Sequence, residues 1–495
     1  MLVSKEDKKG YRNNFMTTLL FSGVQIYQII IRIVRSKFVA IFIGPEGMGI
    51  TSLLHSTTDL ISASTNLGLS TSSVKTIAEA HSSSDEKQIG VTVIVLRRLM
   101  LLTGLIGMLI CSVFAPIWSN QSFGNNDYTW AFIFVSIIIL ADQLNRGELA
   151  LLQGLQLKKY LARANIIGQT IGLIVTVPLY YFFGLKAIVW VLVYSSMLAY
   201  CISKYFTHKV SIKVESVSWR ETFSIGREMI KLGIFLSLQF ILSQAVLYFV
   251  RNYVSQTGGV EEVGLYSAGT TIVNTYLGLV FTAMATGYFP LLAATKSNIE
   301  LKDSVMKQAE ISILLLAPIV LLFILFIKPV ILLLYSNKFL PIENMLYWAM
   351  GATLLKGMGW ALSYTILAKA KPVYFFYNEL FAKFYTFPLT ILGYKYYGLT
   401  GFGVAILIGY SIYLIQEMIV VGHLFKIKYD KKIWVLFISL NIPIILVSCS
   451  KFLLDSFWGY IVGIIISIIT TLYVLNELNK RLDLKSAIKK YTCKH

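Results

Sequence analysis

Fourteen stretches of this chain are long and apolar enough to fill a bilayer core, which takes about 20 residues of helix. They run 13–43, 47–78, 90–115, 127–153, 158–183, 185–206, 231–254, 261–294, 304–329, 341–369, 372–396, 399–425, 432–453 and 457–479. Backbone groups in hydrocarbon must be satisfied within their own segment or around a closed barrel, and runs of this length read as helices. The chain is therefore expected to be an all-α integral membrane protein of about 14 transmembrane helices. Its charge agrees: only 14% of the 495 residues are charged, where a soluble protein carries roughly a quarter. Residues 1–12 are polar, and the run after them is too long for a signal-peptide core and has no cleavage site. That run is expected to remain as the first span.

Positive charge sets the topology. With both termini cytoplasmic, the segments falling inside hold 33 of the 44 lysines and arginines, and loop 112–130 holds none. The net charge of +19 is thus mostly topology rather than a nucleic-acid signal. The four cysteines and five histidines are scattered without metal-ligand spacing. No nucleophile elbow, phosphate loop or catalytic carboxylate pair is present. These features point away from an enzyme and imply no cofactor. No segment outside the spans is long enough for a nucleotide-hydrolysing domain, so any transport must draw its energy elsewhere.

The chain repeats itself. Gly44-Pro45-Glu46-Gly47-Met48-Gly49 has a counterpart in Gly259-Val260-Glu261-Glu262-Val263-Gly264, 215 residues on. Phe183-Gly184-Leu185-Lys186 matches Tyr397-Gly398-Leu399-Thr400 at 214. A near-constant offset predicts two homologous six-helix lobes, 1–206 and 231–425, joined by a cytoplasmic linker at 207–230. The remainder, 426–495, holds two extra spans and a basic tail. An even number of spans per lobe gives both lobes the same orientation, the parallel-repeat arrangement of transporters.

Polar groups mark the faces that cannot meet lipid. Gln25, Gln28, Arg32 and Arg35 share one face of the first span, and Ser52, His55, Asp59, Ser62, Asn66, Ser70 and Ser73 form a stripe on the second. Such groups are expensive in hydrocarbon and should face a bundle interior or a watery cavity. The repeat offset aligns Asp142 with Lys356, Asp59 with Asn274, and Asn165 and Gln169 with Glu379 and Lys383. Span seven adds Ser237, Gln244 and Arg251. Matching positions in both lobes are expected to line a shared central cleft. Arg32, Arg35, Arg251, Lys356 and Lys75 are its candidate cations. Gln25, Gln28, His55, Ser62, Asn66, Gln244 and Asn274 are candidate polar lining, and Asp59, Asp142 and Glu379 candidate proton or sodium sites. Blander roles compete: Arg32, Arg35 and Lys37 as snorkelling residues, Lys75 as a topology signal, and Glu379–Lys383 as a pair satisfied across one helical turn.

The first span with its Gly44–Gly49 turn, the stretch Asn66-Leu67-Gly68-Leu69-Ser70-Thr71-Ser72-Ser73-Val74-Lys75-Thr76-Ile77-Ala78-Glu79, and the echo at Gly264-Leu265-Tyr266-Ser267-Ala268 together resemble the multidrug/oligosaccharidyl-lipid/polysaccharide exporter superfamily. Within it the chain most resembles the O-antigen-type repeat-unit flippases. The resemblance implies a two-lobed alternating-access transporter in a bacterial inner membrane, with an undecaprenyl-pyrophosphate-linked glycan as cargo. It also implies protons or sodium as coupling ions and polysaccharide assembly proteins and membrane lipid as partners. A peptidoglycan-precursor flippase and a cation-coupled drug exporter of the same fold are the alternatives.

Overall fold

The computed structural model describes residues 25, 27–83, 85–210, 212, 216–369, 371–453 and 456–482. The expected polar N-terminus, the start of the first span and nearly all of the basic tail lie outside them. Among the described residues there is no strand. The chain divides into two compact units, 1–264 with 334–336, and 265–333 with 337–495.

The first unit contains α1 (27–42), α2 (Gly44–Asn66), α3 (Leu69–Ser82), α4 (Glu86–Val113), α5 (Ala115–Phe123), α6 (Thr129–Gly154), α7 (Lys158–Phe183), α8 (Ile188–His208), α9 (Trp219–Gly258) and the start of α10 (Val260–Thr271). The second continues through a π turn at Ile272–Tyr276 into α11 (Gly278–Ala294), α12 (Asn298–Leu325), α13 (Ile327–Leu334), α14 (Glu343–Gly351), α15 (Thr353–Ala368), α16 (Pro372–Phe425), α17 (Lys431–Leu453) and α18 (Ser456–Leu482). The fourteen expected spans map onto α1, α2–α3, α4, α6, α7, α8, α9, α10–α11, α12, α14–α15, the two limbs of α16, α17 and α18. The protein is an all-α, multi-pass membrane protein.

The repeat is visible in the backbone. Gly184 separates α7 from α8 with φ 53° and ψ −131°. Gly398, its counterpart at 214, divides α16 into two limbs with φ 55° and ψ −140°. Positive φ with extended ψ is a conformation only glycine holds cheaply. The same residue thus makes the same reversal twice.

The paired glycine turns also meet each other. A Cβ on Gly49 would fall 1.9 Å from the Val260 carbonyl oxygen, and one on Gly264 1.8 Å from that of Pro45. Val260 is Pro45's counterpart at 215, so the two contacts are equivalent under the repeat. Both glycines are there because backbone packs directly on backbone where α2 and α10 begin.

One expected boundary moves. The segment 207–230 is not a separate linker throughout, because α9 starts at Trp219 and continues unbroken for 40 residues. Ser218 and Glu221 form a capping box that starts it: the Ser218 N–H donates to Glu221 Oε2 (2.8 Å) and the Glu221 N–H to Ser218 Oγ (3.2 Å). The hydrogen bonds depress the Glu221 carboxyl below its ordinary range. Arg98 of α4 holds the same corner, donating to the Val217 carbonyl (2.7 Å) and Thr222 Oγ1 (2.9 Å) and lying 4.7 Å over the Trp219 ring. Although the repeat assigns α9 to the second lobe, it packs with α2 and α3 inside the first unit.

Candidate functional site

Lys356 sits in the opening turns of α15, among apolar residues on either side. Its ammonium lies 5.2 Å from the Phe281 ring of α11 and 5.3 Å from the Tyr410 ring of α16. Among the described residues, no carboxylate comes within ion-pair distance of Lys356 or Lys383. With the ammonium on a cavity wall open to water, the two cation–π contacts stabilise it by about 0.5–1 kcal/mol each. Placing a lysine at the centre of a membrane helix costs about 2.5–3.5 kcal/mol. The rings leave the charge undercompensated, which is the condition of a site that receives water or an anion.

A cavity of about 420 Å³ supplies the space, within the range of small-ligand sites. Lys356, Lys383, Glu379 and Asn274 line it. Its walls include the Tyr266, Trp360, Tyr364, Tyr410 and Tyr413 rings, and Thr270, Ser363 and Thr386 contribute hydroxyls. Asn274 is exposed and belongs to the π turn, a helix irregularity frequent at functional sites. The expected Glu379–Lys383 pair does not form. Glu379 Oε1 instead accepts from the Tyr413 hydroxyl at 2.9 Å. An ion pair across one turn contributes only about 0.2–0.5 kcal/mol, so a directed donor from the facing limb of α16 outcompetes it.

Behind that wall lies a network absent from the sequence reading. Asn378 Nδ2 donates to Glu417 Oε1, and Gln416 Nε2 donates to the Asn378 carbonyl at 2.7 Å. Asn378, Gln416 and Glu417 are buried, Glu417 completely. These residues lie 38 and 39 positions apart and meet because Gly398 folds α16 back on itself.

In the first unit the candidates fall into separate groups. His55 and Asp59 of α2 face Asp142 and Arg146 of α6, and Ser196 of α8 is within hydrogen-bonding reach of Asp142. The offset of 214 turns Asp142 and Ser196 into Lys356 and Tyr410, which also adjoin each other. Equivalent positions thus carry an acid in one unit and a base in the other.

The rest of the α2 stripe has a structural use. Asn66 Nδ2 donates to Gln143 Oε1, and Gln143 Nε2 donates to the Ser62 carbonyl at 3.1 Å. Ser62 and Asn66 were expected at a cleft but are instead buried against α6. Glu148, also buried and on α6, takes both prongs of Arg97 at 2.8 and 2.9 Å. Lys75 is exposed and pairs with Glu79 at 3.7 Å.

Arg35 packs over Gly172 of α7, where an added Cβ would come within 2.7 Å of its Nη2. Its Nε is buried without a partner among the described residues. Arg32, its neighbour, is exposed, as is Gln25, and Gln28 is half-buried. Arg251 Nη1 donates to the Ser52 carbonyl at 3.3 Å, tying α9 to α2, and Gln244 is half-buried on the same helix. Lys37 does not simply reach for the interface but donates to the Tyr335 carbonyl at 2.6 Å.

The model of the polysaccharide biosynthesis protein family matches residues 38–344, more than half of the chain. The chain belongs to that family. It is 24% identical over 208 residues to the "Putative O-antigen transporter" of Shigella flexneri, a match spanning 41% of this chain and 48% of that protein. It is 20% identical over 349 residues to the lipid III flippase of Escherichia coli (strain K12), covering 70% of this chain and 82% of that one. The fold is similar to a multidrug resistance MATE family transporter in an inward-facing conformation (TM-score 0.66, 16% identity, 83% of this chain and 95% of the other). It is also similar to the lipid II flippase MurJ in an inward closed conformation (TM-score 0.64, 13% identity, 94% and 99%). These relatives are transporters and flippases rather than enzymes.

Proposed function

We propose that this protein is a flippase that moves an undecaprenyl-pyrophosphate-linked oligosaccharide, an O-antigen or similar repeat unit, from the cytoplasmic to the periplasmic leaflet of a bacterial inner membrane. Transport proceeds by alternating access and is ion-coupled, and both termini are cytoplasmic. The observation that carries the reading is the Lys356 cavity. Two lysines that have no carboxylate partner among the described residues suit a pyrophosphate, since charge-assisted hydrogen bonds to phosphate oxygens are about twice as strong as neutral ones. Aromatic faces beside amide and hydroxyl groups suit the apolar faces and hydroxyls of sugar rings. Asp142, with Asp59, His55 and Arg146 around it, is the candidate for ion coupling in the first unit. Arg32, Arg35 and Arg251 remain candidate cations along the cargo's route.

A drug exporter of organic cations is disfavoured by the same cavity, whose lysines outnumber its carboxylate. The test is complementation of a bacterial strain lacking its own repeat-unit flippase. Surface glycan should return and lipid-linked oligosaccharide should cease to accumulate. Drug resistance without glycan export would favour the exporter.

A further inference from the structure

Glu417 is poorly compensated for a charged carboxylate. Its side chain is fully buried in the second limb of α16, and among the described residues no lysine, arginine or histidine comes within ion-pair distance of it. Asn378 Nδ2 serves Oε1, whereas Oε2 has no hydrogen-bond partner among the described residues. The orientation of that amide is set from behind, because Gln416 Nε2 donates to both the Asn378 carbonyl and Oδ1. The Tyr413 and Ser363 hydroxyls are within hydrogen-bonding reach of Glu417. Tyr413 has one hydrogen, and at 2.9 Å it is committed to Glu379 Oε1. The other titratable groups facing Glu417 are Glu379 on the first limb, Tyr385 on the same limb, and Tyr429 beyond the end of α16. All of them are acids. A fully buried carboxylate faced by acids, with no cation in reach among the described residues and one oxygen unpartnered, favours the neutral acid.

We infer that Glu417 binds a proton, and that Tyr413 connects this proton to Glu379 on the wall of the Lys356 cavity. The chain then has one direction: the Glu417 hydroxyl donates to the Tyr413 oxygen, and the Tyr413 hydroxyl donates to Glu379 Oε1. When the proton leaves, the Tyr413 hydrogen turns back to the Glu417 carboxylate. Glu379 loses its donor, and a second negative charge appears behind the wall. Lys356 and Lys383 line the same cavity as Glu379, so each change lowers the cavity's affinity for an anion. By reciprocity, an anion in the cavity holds the proton on Glu417. Glu417 was not among the carboxylates assigned to ion coupling. The protonation itself is independent of the proposed cargo, and only its effect on binding rests on reading the cavity as an anion site.

Two measurements on the purified full chain in lipid nanodiscs test this. Infrared difference spectroscopy at neutral pH should show the carbonyl band of a protonated carboxylic acid. The band should vanish in Glu417→Gln, which keeps the shape of the neutral acid, and should shift in Tyr413→Phe. Calorimetric binding of inorganic pyrophosphate should weaken about tenfold as pH rises through the loss of that band, a typical coupling between two sites. In Glu417→Gln the binding should no longer follow pH over that range. Absence of the band, its persistence in Glu417→Gln, or its replacement by a sodium-dependent change would overturn the proton site. If Glu417→Gln does not fold, the shift in Tyr413→Phe decides alone. Failure of wild type to bind pyrophosphate at any pH would remove the anion reading while leaving the infrared result to decide the proton.

Discussion

Lys356→Met separates function from stability. Methionine keeps most of the length and apolar stem of lysine and removes only the ammonium. A lysine at the centre of a membrane helix costs about 2.5–3.5 kcal/mol by insertion scales. Contacts at 5.2 and 5.3 Å to Phe281 and Tyr410 return about 1–2 kcal/mol together. The balance is a residual cost of about 0.5–2.5 kcal/mol, so Lys356→Met should unfold at a slightly higher temperature than wild type in detergent. Transport should fall sharply, since one charge-assisted hydrogen bond contributes about 1.5–3 kcal/mol, or 10- to 150-fold in affinity. The assay compares surface glycan in a flippase-deficient strain with the melting midpoint of the purified protein. Lys356→Arg should retain much of the transport. A destabilised Lys356→Met that still exports glycan at the wild-type rate would refute the reasoning, because it would make the lysine a packing element.

Other consequences follow from the packing. Gly264→Ala must open the contact with Pro45 from 1.8 Å, and overpacking of this kind costs about 1–3 kcal/mol; the same substitution at Gly278, which has open space around it, is the control in a melting experiment. Gln143→Leu removes the oxygen acceptor of the Asn66 amide and the donor to the Ser62 carbonyl, and should cost about 1–3 kcal/mol of stability, read as a lower melting midpoint. Arg97→Ala leaves the buried Glu148 without its partner and should lose about 3–5 kcal/mol, whereas Glu148→Gln should lose less because Arg97 is 43% exposed and can turn to water. The Glu221 carboxyl is depressed in the folded state, so its cap is intact above the ordinary carboxylate range and is lost as pH falls through the depressed value. Amide protection at the start of α9 should therefore drop in acid, and Glu221→Gln should make it insensitive to pH there.

Some features were legible because one residue type tolerates one geometry. Gly184 and Gly398 are separated by a constant offset, and each holds a positive φ at the reversal between two spans. Lys356 was legible because a mid-span lysine has few bland explanations. The α2 stripe was only half legible. Its periodicity says which face is polar, yet not whether water or another side chain satisfies that face; for Ser62 and Asn66 the partner is Gln143, 77 residues on from Asn66. Glu417 was overlooked for a related reason. It stands in an apolar run, Leu414-Ile415-Gln416-Glu417-Met418-Ile419, and its relation to Asn378 and Tyr413 exists only once α16 has folded back at Gly398. The Glu379–Lys383 spacing suggested a local pair, and a hydroxyl from the facing limb displaced it.

The central claim is that a lipid-linked, pyrophosphate-bearing glycan crosses the membrane through this protein. The most direct measurement is flipping of a fluorescent undecaprenyl-pyrophosphate-linked oligosaccharide in proteoliposomes, read as the fraction accessible to an impermeant quencher over time. Wild type should equilibrate the lipid between leaflets, Lys356→Met should do so far more slowly, and an organic-cation dye should not be moved. Equal rates with wild-type, Lys356→Met and protein-free liposomes, or movement of the dye in place of the lipid, would contradict the account.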